Sequence, residues 1–239
     1  MNDVKTVPYQ KKFGYSYAFG VFPTIELLEN KPKEVIKIMF SSRGKSNSGV
    51  QKIINLCKKL QIKTEWNDGL ITKIGGNDNT YAVSVFSKYS GRVCAGENHL
   101  VLISPEDTGN LGTILRTCLG FGIKNVVIIK PAVDIFDPKT VRASMGSVFK
   151  INFQYYDDFE LYRREHKNSL FCFMTDATEE LSTVEFTKPY SLVFGSEGAG
   201  LPKDLANFGK SVFIKQSKQI DSLNLAVAVA VSLYETFKE

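Results

Sequence analysis

The stretch Leu192-Val-Phe-Gly-Ser-Glu-Gly-Ala-Gly-Leu201 is followed by Ser211-Val-Phe-Ile-Lys-Gln216 and then by Ser222-Leu-Asn-Leu-Ala-Val-Ala-Val-Ala-Val231. The first piece is an apolar run that opens onto glycines, the pattern of a buried strand delivering a loop that must approach a ligand closely. Gly195, Gly198 and Gly200 remove side chains there, and Glu197 leaves one charge in the middle of the bend. Residues 211–214 read as a second short strand. The third piece offers Ser222 as an N-cap and stays apolar to Leu233 before a polar end, which predicts a buried helix, although its Ala/Val alternation alone also fits a strand. Strand, ligand loop, strand, loop and helix make the outline of a small-molecule site.

The texture is the same upstream as far as His99. Leu100-Val-Leu-Ile103 and Asn125-Val-Val-Ile-Ile-Lys130 are continuous apolar runs, typical of central parallel strands. A helix is expected over 113–120, another over 136–147 with Pro138 in its first turn, and a third over 159–166. Gln154-Tyr155 and Leu170–Met174 supply further strands. Strands alternating with helices predict a mostly parallel α/β sheet with right-handed crossovers.

Residues 17–89 read as a smaller α/β unit. Helices are expected over 24–30, 50–60 and 68–74, and strands over 35–40, 62–66 and 81–86. Ser41-Ser-Arg-Gly-Lys-Ser-Asn-Ser-Gly49 is a polar loop in which Arg43 and Lys45 have the chemistry to grip phosphates. The polar stretch around Ser90-Gly-Arg92 marks the boundary, giving domains 1–92 and 93–239.

Charge separates the two parts. Residues 1–90 hold 14 Lys and Arg against 7 Asp and Glu, while the remainder is slightly acidic within a chain of net charge +5. A basic excess confined to one end points to a polyanion, nucleic acid above all. No apolar run reaches the roughly 20 residues that span a bilayer, and no signal-peptide core opens the chain. Four cysteines without a CxxC pair and only two histidines argue for a reduced, cytoplasmic protein with no metal site.

Asn110 lies at an expected loop-to-helix junction, where an Asn can cap the helix. Arg116 follows inside an apolar helical segment, where an arginine needs an anionic partner or a route to solvent. Arg142 and Ser144 sit in a similar setting, and arginines and hydroxyls near strand ends suit a phosphate-bearing substrate. A dinucleotide fingerprint fails on glycine order, and no P-loop is present.

Asn110-x-Gly112-x-x-x-Arg116, Val193–Leu201 and Ser222-Leu-Asn224 together resemble the three motifs of the SpoU (TrmH-type) RNA 2′-O-ribose methyltransferases, of the trefoil-knotted SPOUT class. The motifs stand in the family's order over much of the C-terminal half. The N-terminal part is similar in layout to the ribosomal-protein-L30e-like RNA-binding domain that precedes the catalytic domain in the rRNA-directed branch. The resemblance implies a knotted C-terminal domain, a homodimer, and S-adenosylmethionine cradled by three loops. The implied cofactor residues are Thr175, Phe194, Gly195, Glu197, Gly198, Gly200, Leu201, Ile214, Gln216, Ser222, Leu223 and Asn224. Arg116, Asn110, Glu197 and Asn224 are the implied catalytic residues, and Arg43, Lys45, Arg116, Arg142 and Ser144 the expected RNA contacts. Family members usually open the third motif Ile-Pro-Met where this chain has Ile214-Lys-Gln216, and a His-Gln-Gly turn is replaced by Asn77-Asp-Asn-Thr80. Structured RNA is the expected substrate, rRNA before tRNA. A non-catalytic RNA-binding or ribosome-assembly protein on the same fold is the alternative, to which Lys215-Gln216 points.

Overall fold

A computed structural model describes residues 4–238. The chain divides into two compact units, one ending at Tyr89 but also taking in Asp134–Lys150, the other made of Ser90–Val133 and the chain from Ile151 onward.

In the first unit, β1 (Tyr15–Phe19), β4 (Ala82–Ser87), β2 (Val35–Phe40) and β3 (Thr64–Trp66) form a four-stranded sheet in that order. Only β2 and β3 run parallel. Helices α1 (Val21–Asn30), α2 (Ser48–Leu60) and α3 (Asp68–Lys73) connect them. Asn47 caps α2 through the amides of Gly49 and Val50, so this helix starts two residues before the apolar periodicity does. Strand β1 went unread in the sequence, because its partner is the distant β4. The expected helix over 136–147 is shorter: α5 (Pro138–Ala143), capped by Asp137. Its segment joins this unit through an aromatic cluster in which Phe136 and Phe149 meet Phe86 edge-on, with ring centroids 5.6 and 5.3 Å away. Lys88 and Asp134 add an ion pair of 2.6 Å, largely shielded from solvent.

The second unit is built on a seven-stranded sheet. It runs β7 (Asn152–Tyr156), β6 (Asn125–Ile129), β5 (His99–Ile103), β10 (Tyr190–Phe194), β8 (Ser169–Phe173), β11 (Lys210–Phe213) and β9 (Glu179–Glu180). All six pairings are parallel. Leu100, Val101 and Leu102 are all fully buried, as a strand covered on both faces requires. Helix α4 (Thr108–Gly120) packs against α7 (Leu225–Phe237), while α6 (Phe159–Glu165) lies near the β7 edge. Two helix starts differ from expectation. Asp107, not Asn110, caps α4 by accepting the Asn110 amide at 2.7 Å, and Asn224, not Ser222, caps α7 through the amides of Ala226 and Val227.

The two histidines are interior groups of this unit. His99 contacts the Tyr162 hydroxyl through Nδ1 and the Cys94 carbonyl through Nε2, each at 2.9 Å. His166 is stacked on Tyr162, and its buried Nδ1 has no hydrogen-bond partner. Burial pushes both imidazoles below their ordinary value, against a hydrogen bond to Cys94 in one and the Glu165 charge in the other. The unfolded chain therefore binds protons below about pH 6.5 that the folded chain refuses, and stability falls as pH drops through that value. The lowered carboxyls, such as Asp68, Glu160 and Glu197, start from ordinary values no higher than 4.5 and act only below that window. The melting temperature is expected to fall steadily between pH 6.5 and about 5, and His166→Phe to flatten that slope. A profile that is flat there in the unsubstituted protein contradicts the assignment.

Candidate functional site

Strands β8, β10 and β11 end side by side, and the loops leaving their C-terminal ends surround a cavity of about 880 Å³. That is the edge of an open parallel sheet where ligands bind, and the volume suits a cofactor-sized molecule. The walls are Phe173–Asp176, Phe194–Leu201, Val212–Gln216 and Asp221–Leu225. Phe173 and Phe194 are stacked at 4.4 Å between ring centroids with planes 9° apart, and form a flat apolar wall.

The loop after β10 is held by backbone, which is why glycine is needed. A Cβ on Gly195 would lie 1.9 Å from the Gly200 carbonyl carbon. Gly200 has φ +69° and donates its amide to the Ser196 carbonyl at 3.1 Å, folding the loop back on its own start. Glu197 stands half-buried at the bend. Its carboxylate accepts the amides of Glu106 at 2.9 Å and Asp107 at 3.2 Å, and the Asn110 side-chain amide at 3.0 Å. Burial pushes this carboxyl up, but these bonds outweigh it, and the group ends below the usual carboxylate range.

Because Asp107 caps α4, the Asn110 side chain is left free for the site. Its Nδ2 donates to Glu197, and its Oδ1 accepts from the Asn224 Nδ2 at 3.0 Å. Asn224 then uses its own Oδ1 to cap α7. One hydrogen-bonded chain, Glu197–Asn110–Asn224, thus joins three segments far apart in sequence.

All twelve residues expected to hold a cofactor line this cavity: Thr175, Phe194, Gly195, Glu197, Gly198, Gly200, Leu201, Ile214, Gln216, Ser222, Leu223 and Asn224. Asp176, in the expected loop around Thr175-Asp176, lines it too, while Phe173, Met174, Lys203 and Leu225 line it and were missed. Phe173 and Met174 lie just before Thr175, so the end of an apolar strand was their only signal. Lys203 reaches Asp176 at 3.1 Å across the wall. The Lys215-Gln216 departure does not fill the cavity: Lys215 pairs with Glu180 at 3.3 Å, and the Gln216 amide donates to the Asp221 carbonyl at 3.0 Å.

Other expected residues lie elsewhere. Arg116 is exposed on α4, about 120° around the helix from Asn110 at 100° per residue, and lies outside the cavity lining. It has found the route to solvent, with no anionic partner among the described residues. Arg142 and Ser144 belong to the first unit. Ser144 is fully buried and donates its hydroxyl to the Val141 carbonyl, so it offers nothing to RNA. Arg43 is exposed but paired with Asp78, whereas Lys45 is exposed and makes no ion pair among the described residues.

A parallel sheet whose loops enclose one cavity beside a polar hydrogen-bonded chain defines an α/β domain built to hold a small molecule. The chain belongs to the SpoU rRNA Methylase family, whose model matches residues 97–234. It is 37% identical over 144 residues to an uncharacterized tRNA/rRNA methyltransferase of Synechocystis, a match covering 59% of this chain and only 53% of that protein. A 23S rRNA (guanosine-2′-O-)-methyltransferase of Acinetobacter baylyi is 22% identical over 249 residues, covering 93% of this chain and 97% of the relative. Among solved structures, an AdoMet-bound rRNA methyltransferase from Sinorhizobium meliloti superposes with a TM-score of 0.80 at 26% identity, over 94% of this chain and 87% of that one.

Two substitutions separate strain in the loop from mere crowding. Gly195→Ala forces a Cβ into backbone and is expected to lower the melting temperature by several degrees, at about 2–4 °C per kcal/mol for a chain of this size. Gly198→Ala, whose Cβ meets nothing nearer than a Glu106 carboxylate oxygen at 4.0 Å, is expected to leave it unchanged.

Proposed function

We propose that this protein transfers a methyl group from S-adenosylmethionine to a ribose 2′-hydroxyl of structured RNA, rRNA in particular. The Glu197–Asn110–Asn224 chain carries this reading, because it ties the three family motifs together at the wall of one cavity. The rRNA substrate is supported by the relative that matches nearly the whole chain and bears a 23S rRNA name. The basic excess of residues 1–90 supports an L30e-like RNA-binding role for domain 1–92.

The cavity fits the cofactor. Phe194, Ile214 and Leu223 offer apolar walls for an adenine, and the acidic groups Asp176 and Glu197 suit the cationic end. When bound, the cofactor supplies a methyl group activated by its sulfonium. Glu197 keeps the loop 195–201 fixed to the start of α4, so the backbone cradle is preorganised. Holding acceptor and methyl group in line contributes on the order of 7–11 kcal/mol in ideal cases. Arg116, whose guanidinium offers hydrogen-bond donors and no acceptor, binds the target phosphate and polarises the 2′-hydroxyl.

Arg116 lies outside the cavity of its own chain, which supports a homodimer in which it serves the partner's cavity. Helix α7 favours the same assembly, since Val227, Val231 and Tyr234 recur one and two turns apart and leave an apolar stripe exposed. Membership of the SpoU family supports a trefoil knot in the second unit. No helix among the described residues is long and apolar enough to cross a membrane, and four unpaired cysteines suit the reducing cytoplasm.

Calorimetric titration with S-adenosylmethionine is expected to show one site per chain. Asn224→Asp keeps the α7 cap but removes the donor to Asn110, and is expected to weaken binding; no saturable binding at millimolar cofactor overturns the reading. Arg116→Lys is expected to bind cofactor normally and lose about a hundredfold or more of methyl transfer to rRNA fragments, with tRNA assayed beside them. Full activity removes Arg116 from the mechanism. Light scattering is expected to give twice the 26.7 kDa chain mass, reverting to the single mass in Val231→Glu; a monomeric unsubstituted protein refutes the dimer.

A further inference from the structure

The first unit holds an aromatic group that its fold does not need. Trp66, the only tryptophan in the chain, is 46% exposed at the end of β3, the edge strand of its sheet. An indole left this open forfeits burial that strand side chains ordinarily gain. It is nevertheless held firmly. Trp66 stands opposite Phe40 in the parallel pairing of β2 and β3, with ring centroids 5.1 Å apart, and Phe40 is itself buried. The next residue, Asn67, donates its amide to the Phe40 carbonyl and caps α3 through the Leu70 amide.

A cation is poised above this ring. The Lys45 Nζ lies over the indole, 5.8 Å from its centroid. The loop that carries it is anchored at several points. Asp68 accepts the Ser41 hydroxyl at 2.6 Å and the Ser42 amide at 3.0 Å, Arg43 pairs with Asp78, and the Gln51 side chain donates to the Lys45 carbonyl at 2.9 Å. The Lys45 side chain thus extends from a fixed backbone and is tied by no ion pair among the described residues. Phe22, an exposed aromatic of the same unit, has no cation set against it among the described residues.

An exposed indole packed on Phe40 beside an ammonium with no ion pair among the described residues, at the C-terminal ends of two parallel strands and within the basic part of the chain, matches the chemistry of single-stranded nucleic acid recognition. There, aromatic faces stack bases, and cations take the adjoining phosphates. We infer that Trp66 is a stacking platform for an unpaired base of the RNA substrate, with Lys45 swinging off the ring to hold the neighbouring phosphate. This rests on the RNA reading above and adds to it a preference for a loop, bulge or flanking single strand over continuous duplex. A protein partner is the competing occupant.

Because Trp66 is the only tryptophan, its emission reports the contact directly. Titration with a 12-nucleotide oligoadenylate is expected to quench it saturably, and a 12-base-pair RNA duplex to quench it far less. Trp66→Ala is expected to weaken oligoadenylate binding about 5- to 150-fold, measured by anisotropy of a labelled strand, whereas Trp66→Phe retains most of the affinity. Lys45→Ala is expected to reduce the slope of log affinity against log salt by about 0.7, the value for one phosphate contact on a single strand. Absence of quenching, equal quenching by duplex, or unchanged affinity in Trp66→Ala overturns the inference and leaves Trp66 to a protein partner. Titration of the same variants with S-adenosylmethionine keeps the two readings apart. Normal cofactor binding without quenching removes the platform alone, while quenching without cofactor binding removes the methyltransferase reading alone.

Discussion

The site of this protein depends on one half-buried carboxylate. Glu197 lies in a loop whose glycines could not keep a shape by side-chain packing, and it accepts three hydrogen bonds from the start of α4. Removing a charge from water is costly unless such bonds compensate it. Here they do so well enough that the ionised form is favoured despite burial. The carboxylate also sits where the N-terminal end of a 13-residue helix favours negative charge. The loop after β10 is therefore locked to α4, and through Asn110 and Asn224 to the cap of α7. Loss of that charge would free two walls of the cavity at once, the loop 194–201 and the segment 221–225.

The parallel sheet was legible because its strands are covered on both faces and so become unbroken apolar runs, as at Leu100–Ile103. Helix starts were less so, because several residues compete for the same cap. Asp107, Asn110, Ser222 and Asn224 all have suitable side chains, and tertiary contacts decide among them. Asp107 takes the α4 cap, which leaves the Asn110 side chain to Glu197 and Asn224. Strand β1 and the placement of Asp134–Lys150 had no local signal. Both depend on partners far away in the chain: Ser16 donates to the Phe136 carbonyl across 120 positions, and Phe86 receives Phe136 and Phe149.

The residues that line the cavity were largely legible in the sequence, for a physical reason. Its walls are loops whose glycines, strand ends and helix cap are local in sequence even though the loops meet only in the fold. RNA contacts are different, since an exposed arginine or serine looks the same in sequence whether it is available or already engaged. Ser144 is buried and bonded to its own helix, and Arg43 is paired with Asp78. Trp66 passed unnoticed because a tryptophan in a strand is expected to be buried, and only its exposure makes it unusual.

The replacement at Lys215-Gln216 shows what the cavity asks of its sequence. A lysine next to a cofactor pocket threatens it in two ways, by volume and by placing a positive charge near a cationic ligand. Lys215 stays in the wall, but its ammonium is paired with Glu180 on the neighbouring β9, which offsets the charge. Gln216 closes the turn to Asp221 by a side-chain bond to backbone, a constraint of the kind a proline would impose by restricting φ. The loop thus keeps its path with different side chains. What must be kept is the course of the backbone and the asparagine at its end, since Asn224 alone both starts α7 and reaches Asn110.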